Sequence, residues 1–215
     1  MIKTRYFVAA SLVAFSAAAA AGTFDGPSIQ AGLSINSAQT TLENYSPDGK
    51  VSDNKVLGNL SLNYSQSYGA FNLAGGVFTI LGNQKSGSLN SFAENTGNTW
   101  SDNFKLSNVW GISVEPGYNV NDSVLAYAKF SIARATGHNS YDYTGDLIGG
   151  DAGSASRKHS GTGFGVGVKF KITHQLYGTV EMEQINFNSK SYYADVPETY
   201  KPSLIKAGVS IGYKF

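Results

Sequence analysis

Six charged side chains could do chemistry in a chain that uses charge sparingly: Glu115, Lys129, Lys169, Glu181, Glu183 and Lys206. Charged residues are 14% of the 215, against about 25% in ordinary soluble domains. All six fall in segments where apolar and other residues alternate, on the face opposite the apolar one. Three acids and three bases on neighbouring segments can neutralise one another, and burial would make pairing compulsory because an orphaned buried charge costs several kcal/mol. The same set could instead pass protons or ions, or hold two carboxylates as acid and base. Spacing favours ion pairing. Glu115 with Lys129, and Lys169 with Glu181, are expected within diagonal cross-strand reach over two tight turns.

The other candidates are weaker. His138, His159 and His174 have neither H-x₃-H nor H-E-x-x-H spacing and read as solvated surface residues. His159 beside Ser160 offers a base next to a nucleophile, but no acid is placed to orient it. Gly161, Gly163, Gly165 and Gly167 recur every second residue inside a strand, so they are no dinucleotide fingerprint, which needs a following helix. They either make room for large neighbours such as Tyr127 or leave a water-filled gap. Asp142, Asp146 and Asp151 lack the order of a calcium loop. With no cysteine, thiolate metal sites and disulfides are excluded. Catalytic, cofactor and metal residues are therefore expected to be absent. A formal charge of +1 argues against a nucleic-acid partner.

The elements that position these residues have period two. Apolar residues alternate through Ile29–Ile35, Val56–Tyr64, Phe71–Val77, Trp110–Val114, Val124–Ile132, Phe164–Ile172, Leu176–Met182 and Ile205–Phe215. Eight strands of about ten residues are predicted. The connections alternate. Tight ones fall around Gln66, at 119–122 and at 173–175; long ones, rich in Gly, Ser, Asn and Asp, span 39–54, 82–103, 137–160 and 188–202. Short turns at one end and long loops at the other are the asymmetry of outer-membrane barrels, with the long loops outside the cell. Two aromatic girdles are expected: Tyr64, Phe71, Tyr118, Phe170, Tyr177, Tyr213 and Phe215 near the short turns, and Trp100, Phe104, Phe187, Tyr192, Tyr193 and Tyr200 near the long loops. In hydrocarbon every backbone N–H and C=O must be paired, so the sheet must close. The predicted fold is all-β, an eight-stranded antiparallel transmembrane up-and-down barrel.

The N-terminus adds an address. Lys3 and Arg5 precede a short apolar stretch ending in Ala17–Ala21, the pattern of a secretory signal peptide over residues 1–21 with cleavage after Ala21. Losing Lys3 and Arg5 takes the formal charge from +1 to −1. Residues 22–215 then form the barrel.

Three segments carry a family resemblance. EPGYNVNDSVLAYAKF at 115–130 and GTGFGVGVKFKITHQLYGTVEMEQINF at 161–187 are similar to hairpins of opacity-type and OmpA-like eight-stranded barrels. The last strand, with Ala207, Val209, Ile211, Tyr213 and Phe215 at alternate positions, looks like the signal read by the outer-membrane barrel-assembly machinery, with Tyr213 and Phe215 as its aromatic residues. The resemblance implies a small surface-antigen barrel in a Gram-negative outer membrane; the sequence departs from the full-length OmpA pattern in that no peptidoglycan-binding domain is expected, so a peptidoglycan tether is not carried over. The resemblance further implies outer-membrane lipids, lipopolysaccharide and the assembly machinery as partners. The expected function is a non-enzymatic barrel that is structural or meets an extracellular ligand through its loops. A small-solute channel is the alternative, and a lipid-modifying or proteolytic enzyme a more distant one.

Overall fold

A computed structural model describes residues 22–43, 49–93, 98–144, 151–192 and 199–215. The signal segment 1–21 lies outside them. Eight long antiparallel strands follow one another around a ring: β1 (Gly26–Glu43), β2 (Gly49–Tyr68), β3 (Phe71–Ala93), β4 (Asn98–Asn121), β5 (Val124–Thr144), β6 (Asp151–Lys171), β7 (Leu176–Phe187) and β9 (Thr199–Lys214). A two-residue strand, β8 (Lys190–Ser191), adds to the outer part of β9. The ring closes because β1 pairs with both β2 and β9, from Ser28↔Lys214 to Glu43↔Thr199. No edge strand is left in the spanning part, as a hydrocarbon surround requires.

The long strands have 12 to 24 residues rather than about ten. Much of 39–54, 82–103, 137–160 and 188–202, expected as loop, continues as strand; the tips 44–48, 94–97, 145–150 and 193–198 lie outside the described residues. Gly, Ser and Asn mimic loop composition there, yet the ladder persists, as from Thr99↔Thr144 down to Ser107↔Thr136. The first short turn is Gly69–Ala70, three residues beyond Gln66, and Gly69 supplies its positive φ of 65°.

The pleat sorts the side chains. Ile29, Leu33, Ile35, Leu60, Leu62, Val77, Ile112, Val114, Phe130, Ile132, Val166, Val180, Val209 and Ile211 face outward and are exposed. Ser28, Gln30, Ser34, Asn63, Ser113, Glu115, Lys129, Lys169, Glu183 and Lys206 face inward and are buried, and Glu181 faces inward half-buried. This inversion of the soluble pattern defines an apolar belt on the short-turn half of every strand. A bulge in β4 disturbs it: Asn108 adopts φ 50° and the register with β5 slips between Ser107 and Trp110. Below the bulge Val109, Gly111, Ser113 and Glu115 point inward; above it Leu106, Phe104 and Asp102 do, since one extra residue reverses the faces.

That reversal, with simple parity on the other strands, corrects the upper aromatic girdle. Phe104, Phe187, Tyr192 and Tyr200 are buried inside the barrel. The side chain of Trp100 and residue Tyr193 lie outside the described residues. In the lower girdle Tyr64, Phe71, Tyr118, Phe170, Tyr213 and Phe215 face outward. Tyr177 turns in instead, edge-on to Phe24 at 6.1 Å and donating to Ser28 Oγ at 3.0 Å. The N-terminal segment is tied into this lower mouth, with Lys214 Nζ donating to Thr23 O at 2.9 Å.

Candidate functional site: the filled lumen

The six charged residues all point into the lumen and form one cluster. Lys169 Nζ lies 2.8 Å from Glu115 Oε2. Lys129 Nζ meets Glu181 at 2.9 Å and Glu183 at 3.2 Å. Lys206 Nζ is 2.8 Å from each of the same two carboxylates. Tyr127 joins the pairs, donating its hydroxyl to Glu181 Oε2 at 2.8 Å while its ring carries Lys169 Nζ at 4.8 Å. Phe78 does the same from β3, with Lys129 and Lys206 ammonium groups 4.8 and 5.5 Å from its centroid. Ser131 Oγ donates to Glu183 Oε1 at 2.6 Å. Glu183 Oε2 therefore takes its two lysines as ion pairs, without aligned hydrogen bonds. Charges balance within the cluster, as burial demands.

The pairing differs from the expected one. Glu115 takes Lys169, and Lys129 goes to β7. Register explains the exchange: Lys129 lies opposite Gly165, which lies opposite Glu183, which lies opposite Lys206. With no side chain on Gly165, Lys129 reaches over β6 to two carboxylates. A Cβ on Gly167 would collide with the Tyr127 ring, and one on Gly163 with Ser131 Oγ. Of the two options for the glycine row, room for a large neighbour is the one the structure adopts at Gly167, while at Gly163 the space goes to the Ser131–Glu183 contact. A polar cavity of about 30 Å³ lies beside the cluster, edged by Asn59, Ser61, Glu115 and Lys206, space for one or two waters.

A second filling lies above the apolar belt. Phe104 stacks on Tyr200 at 5.6 Å and meets Tyr192 edge-on at 5.7 Å. Tyr200 Oη and Asn139 Nδ2 both donate to Asp102, each at 2.6 Å. Burial pushes the Asp102 carboxyl above its usual range, against these two hydrogen bonds. His159, expected at the surface, is fully buried here. One ring nitrogen, Nδ1, lies 2.8 Å from Asn188 O, so it carries the proton; Nε2 then accepts from Tyr192 Oη at 2.7 Å. Burial lowers its pKa, with the Lys190 charge adding a little. Space for the plug comes from Gly137, where a Cβ would meet Tyr192, Phe104 and His159.

His159 and Ser160 occupy opposite faces of β6, so the nucleophile–base reading loses its geometry. His138 faces outward between Ser107 Oγ at 2.9 Å and Ser156 Oγ at 2.7 Å, and His174 is exposed in a short turn. Among the described residues no three His, Asp or Glu side chains gather as a metal site. Tyr213 and Phe215 pack edge-on at 5.2 Å on the lower rim. Sequence reasoning missed the plug. Counting by two from Glu183 would have placed Phe187 inside, and from Lys206 would have placed Tyr200 there.

A closed antiparallel ring, apolar outside and polar inside, defines a small transmembrane β-barrel of a bacterial outer membrane. The chain belongs to the outer membrane protein beta-barrel domain family, whose model matches residues 7–215. No curated protein matches it. Among solved structures it is similar to Ail, the attachment invasion locus protein of Yersinia pestis crystallised with the heparin analogue sucrose octasulfate, at 16% identity over 86% of this chain and 99% of that one, TM-score 0.38. It is also similar to Neisserial surface protein A, at 12% identity over 89% and 98%, TM-score 0.44. A major outer membrane protein of Thermus thermophilus matches at 12% identity over 86% and 99%, TM-score 0.49.

Proposed function

We propose that this protein is a non-enzymatic surface barrel whose long-hairpin end stands outside the cell and meets partners there, and that its lumen does not conduct. The observation that carries the reading is a lumen filled twice over, by the ion-pair cluster at belt level and by the aromatic plug above it. The hairpins support the outward role. On β5, Ala133–Thr144 continues past Ile132, the last exposed apolar residue of the belt, a further ~40 Å along the strand at 3.3 Å per residue. Such ladders present fixed surfaces rather than loose loops, and outer-membrane lipid and the barrel-assembly machinery are the remaining expected partners. The signal peptide over 1–21 belongs to the same proposal.

The test is single-channel recording of the folded protein in a planar bilayer. Silence from a barrel shown to be inserted is the expected result. Discrete, reproducible openings would overturn the closed lumen and favour the small-solute channel, with Gly163 and Gly167 as the first positions to alter.

A further inference from the structure

The segment before β1 is tucked into the short-turn mouth of the barrel. Phe24 and Asp25 are both buried there. Phe24 packs on Leu125 and meets Tyr177 edge-on. A turn closed by Asp25 N donating to Gly22 O at 3.1 Å brings Gly22 back against Asp25. Apolar packing explains Phe24, but a carboxylate beside it needs another reason, because buried charge persists only when it is paired.

Asp25 has no ordinary counter-ion. Among the described residues no lysine, arginine or histidine lies within ion-pair distance of it. Lys214, in the same mouth, gives its ammonium group to Thr23 O instead. Asn72 Nδ2 reaches Asp25 Oδ1 only at 3.4 Å and also donates to Ser67 Oγ at 3.0 Å. The close donor is the backbone nitrogen of Gly22, 2.6 Å from Asp25 Oδ2. Gly22 fits because it lacks a side chain: a Cβ would stand 2.7 Å from Ser67 Oγ and 3.1 Å from both carboxylate oxygens of Asp25.

Gly22 is also the residue that follows the expected cut after Ala21. Hydrolysis of the Ala21–Gly22 peptide bond by a signal peptidase consumes one water. The water oxygen joins the Ala21 carbonyl carbon, which leaves as a carboxylate. Both water hydrogens pass to the Gly22 nitrogen, which already carries one and becomes an ammonium ion. The geometry points to a site for this processed chain end: Asp25 is the counter-ion of the Gly22 ammonium, and Phe24 is the anchor that holds the turn in place. Before the cut the buried carboxylate meets a neutral N–H; after it, a full positive charge. Hydrogen bonds between charged partners are about twice as strong as neutral ones, so processing locks the segment into the mouth. The site rests on the signal-peptide reading above, and is independent of whether the lumen conducts.

The experiment starts from mature protein purified from outer membranes, whose intact mass reads the first residue. Gly22 is expected; any other first residue would remove the cleavage boundary and the site together. With Gly22 established, the mature chain and its Asp25→Asn variant are each compared with the α-amine free and acetylated. The cap is added in urea at about pH 6.5, where the α-amine, less basic than lysine, reacts first, and the chain is then refolded into lipid vesicles. An acetyl group restores the neutral amide of the uncut chain. Capping and D25N are each expected to lower the urea midpoint by about 1 M. The capped D25N chain should fall no further than the worse of the two, because both changes break one ion pair. Additive losses, or a midpoint that capping leaves unchanged, would overturn the pair and leave the cleavage boundary standing. If D25N does not refold, the unaltered barrel decides. Its α-amine should be acetylated at least about tenfold more slowly when folded than in urea, and equal rates would sink the proposal.

Discussion

The two fillings of this barrel solve one problem with opposite chemistry. At belt level, Lys129 and Lys206 hold Glu181 and Glu183 between them, and glycines on β6 let the long side chains cross. Above the belt, Phe104, Tyr192 and Tyr200 supply bulk and a few hydrogen bonds, with the Asp102 carboxylate accepting from Tyr200. The first region is electrostatic and fails if one member leaves, because its partners stay buried and charged. The second is mainly a packing problem, and a missing ring leaves a hole whose neighbours can settle. The lower filling should therefore be the more brittle of the two.

Glu183→Ala makes the sharpest break. It orphans two ammonium groups from one of their carboxylates and strips Ser131 of its acceptor, an expected loss of about 3–5 kcal/mol read as a lower urea midpoint in lipid vesicles. Replacing Glu183 and Lys206 together by Met should cost clearly less than Glu183→Ala, since one acid and one base leave at once. If the double variant is the weaker one, the lower filling is packing after all and the contrast between the regions collapses.

Phe104→Ala is the matching cut above the belt. The ring touches His159, Tyr192 and Tyr200, so truncation is expected to cost about 3 kcal/mol, with partial relaxation around the cavity. The loss should appear as faster hydrogen exchange in the outer parts of β4, β5 and β9, while the belt-level amides keep their protection. Uniform loosening of the whole barrel would mean that plug and ion cluster are one cooperative unit.

How far these regions could be read in the sequence differs for a physical reason. The lower one lies on uninterrupted alternation, so parity alone puts Glu115, Lys129, Lys169, Glu181, Glu183 and Lys206 on the inner face. Which acid takes which base depends on register and on the gap at Gly165, and both are properties of three strands at once. The upper region depends on Asn108, where one residue in the left-handed region turns Phe104 inward. The trace of that bulge is Leu106 and Val109 three apart instead of two, a faint mark among serines and asparagines. Those polar residues also concealed the length of the strands, since cross-strand pairing holds them extended where local composition suggests loop.

The smallest predicted effect concerns pH and separates the regions most cleanly. His159 is held neutral by burial, so its favourable contribution is complete above the ordinary histidine value near 6.5 and is lost as pH falls through its lower folded-state value. Asp102 works the other way. Its folded-state pKa is raised, so the plug gains relative stability as pH falls through that value toward the ordinary carboxylate range, and the two trends oppose each other in the intact protein. His159→Gln removes one of them while keeping an amide donor for Asn188 O. The stability gap between wild type and this variant should narrow from about pH 7.5 to about pH 5, and the narrowing should be confined to unfolding probes on the outer hairpins. A gap that stays constant with pH would mean that His159 keeps its ordinary pKa in the fold, through water reaching the plug. In that case the upper filling would be a wet polar cluster, and the contrast with the ion-paired lumen would be one of degree.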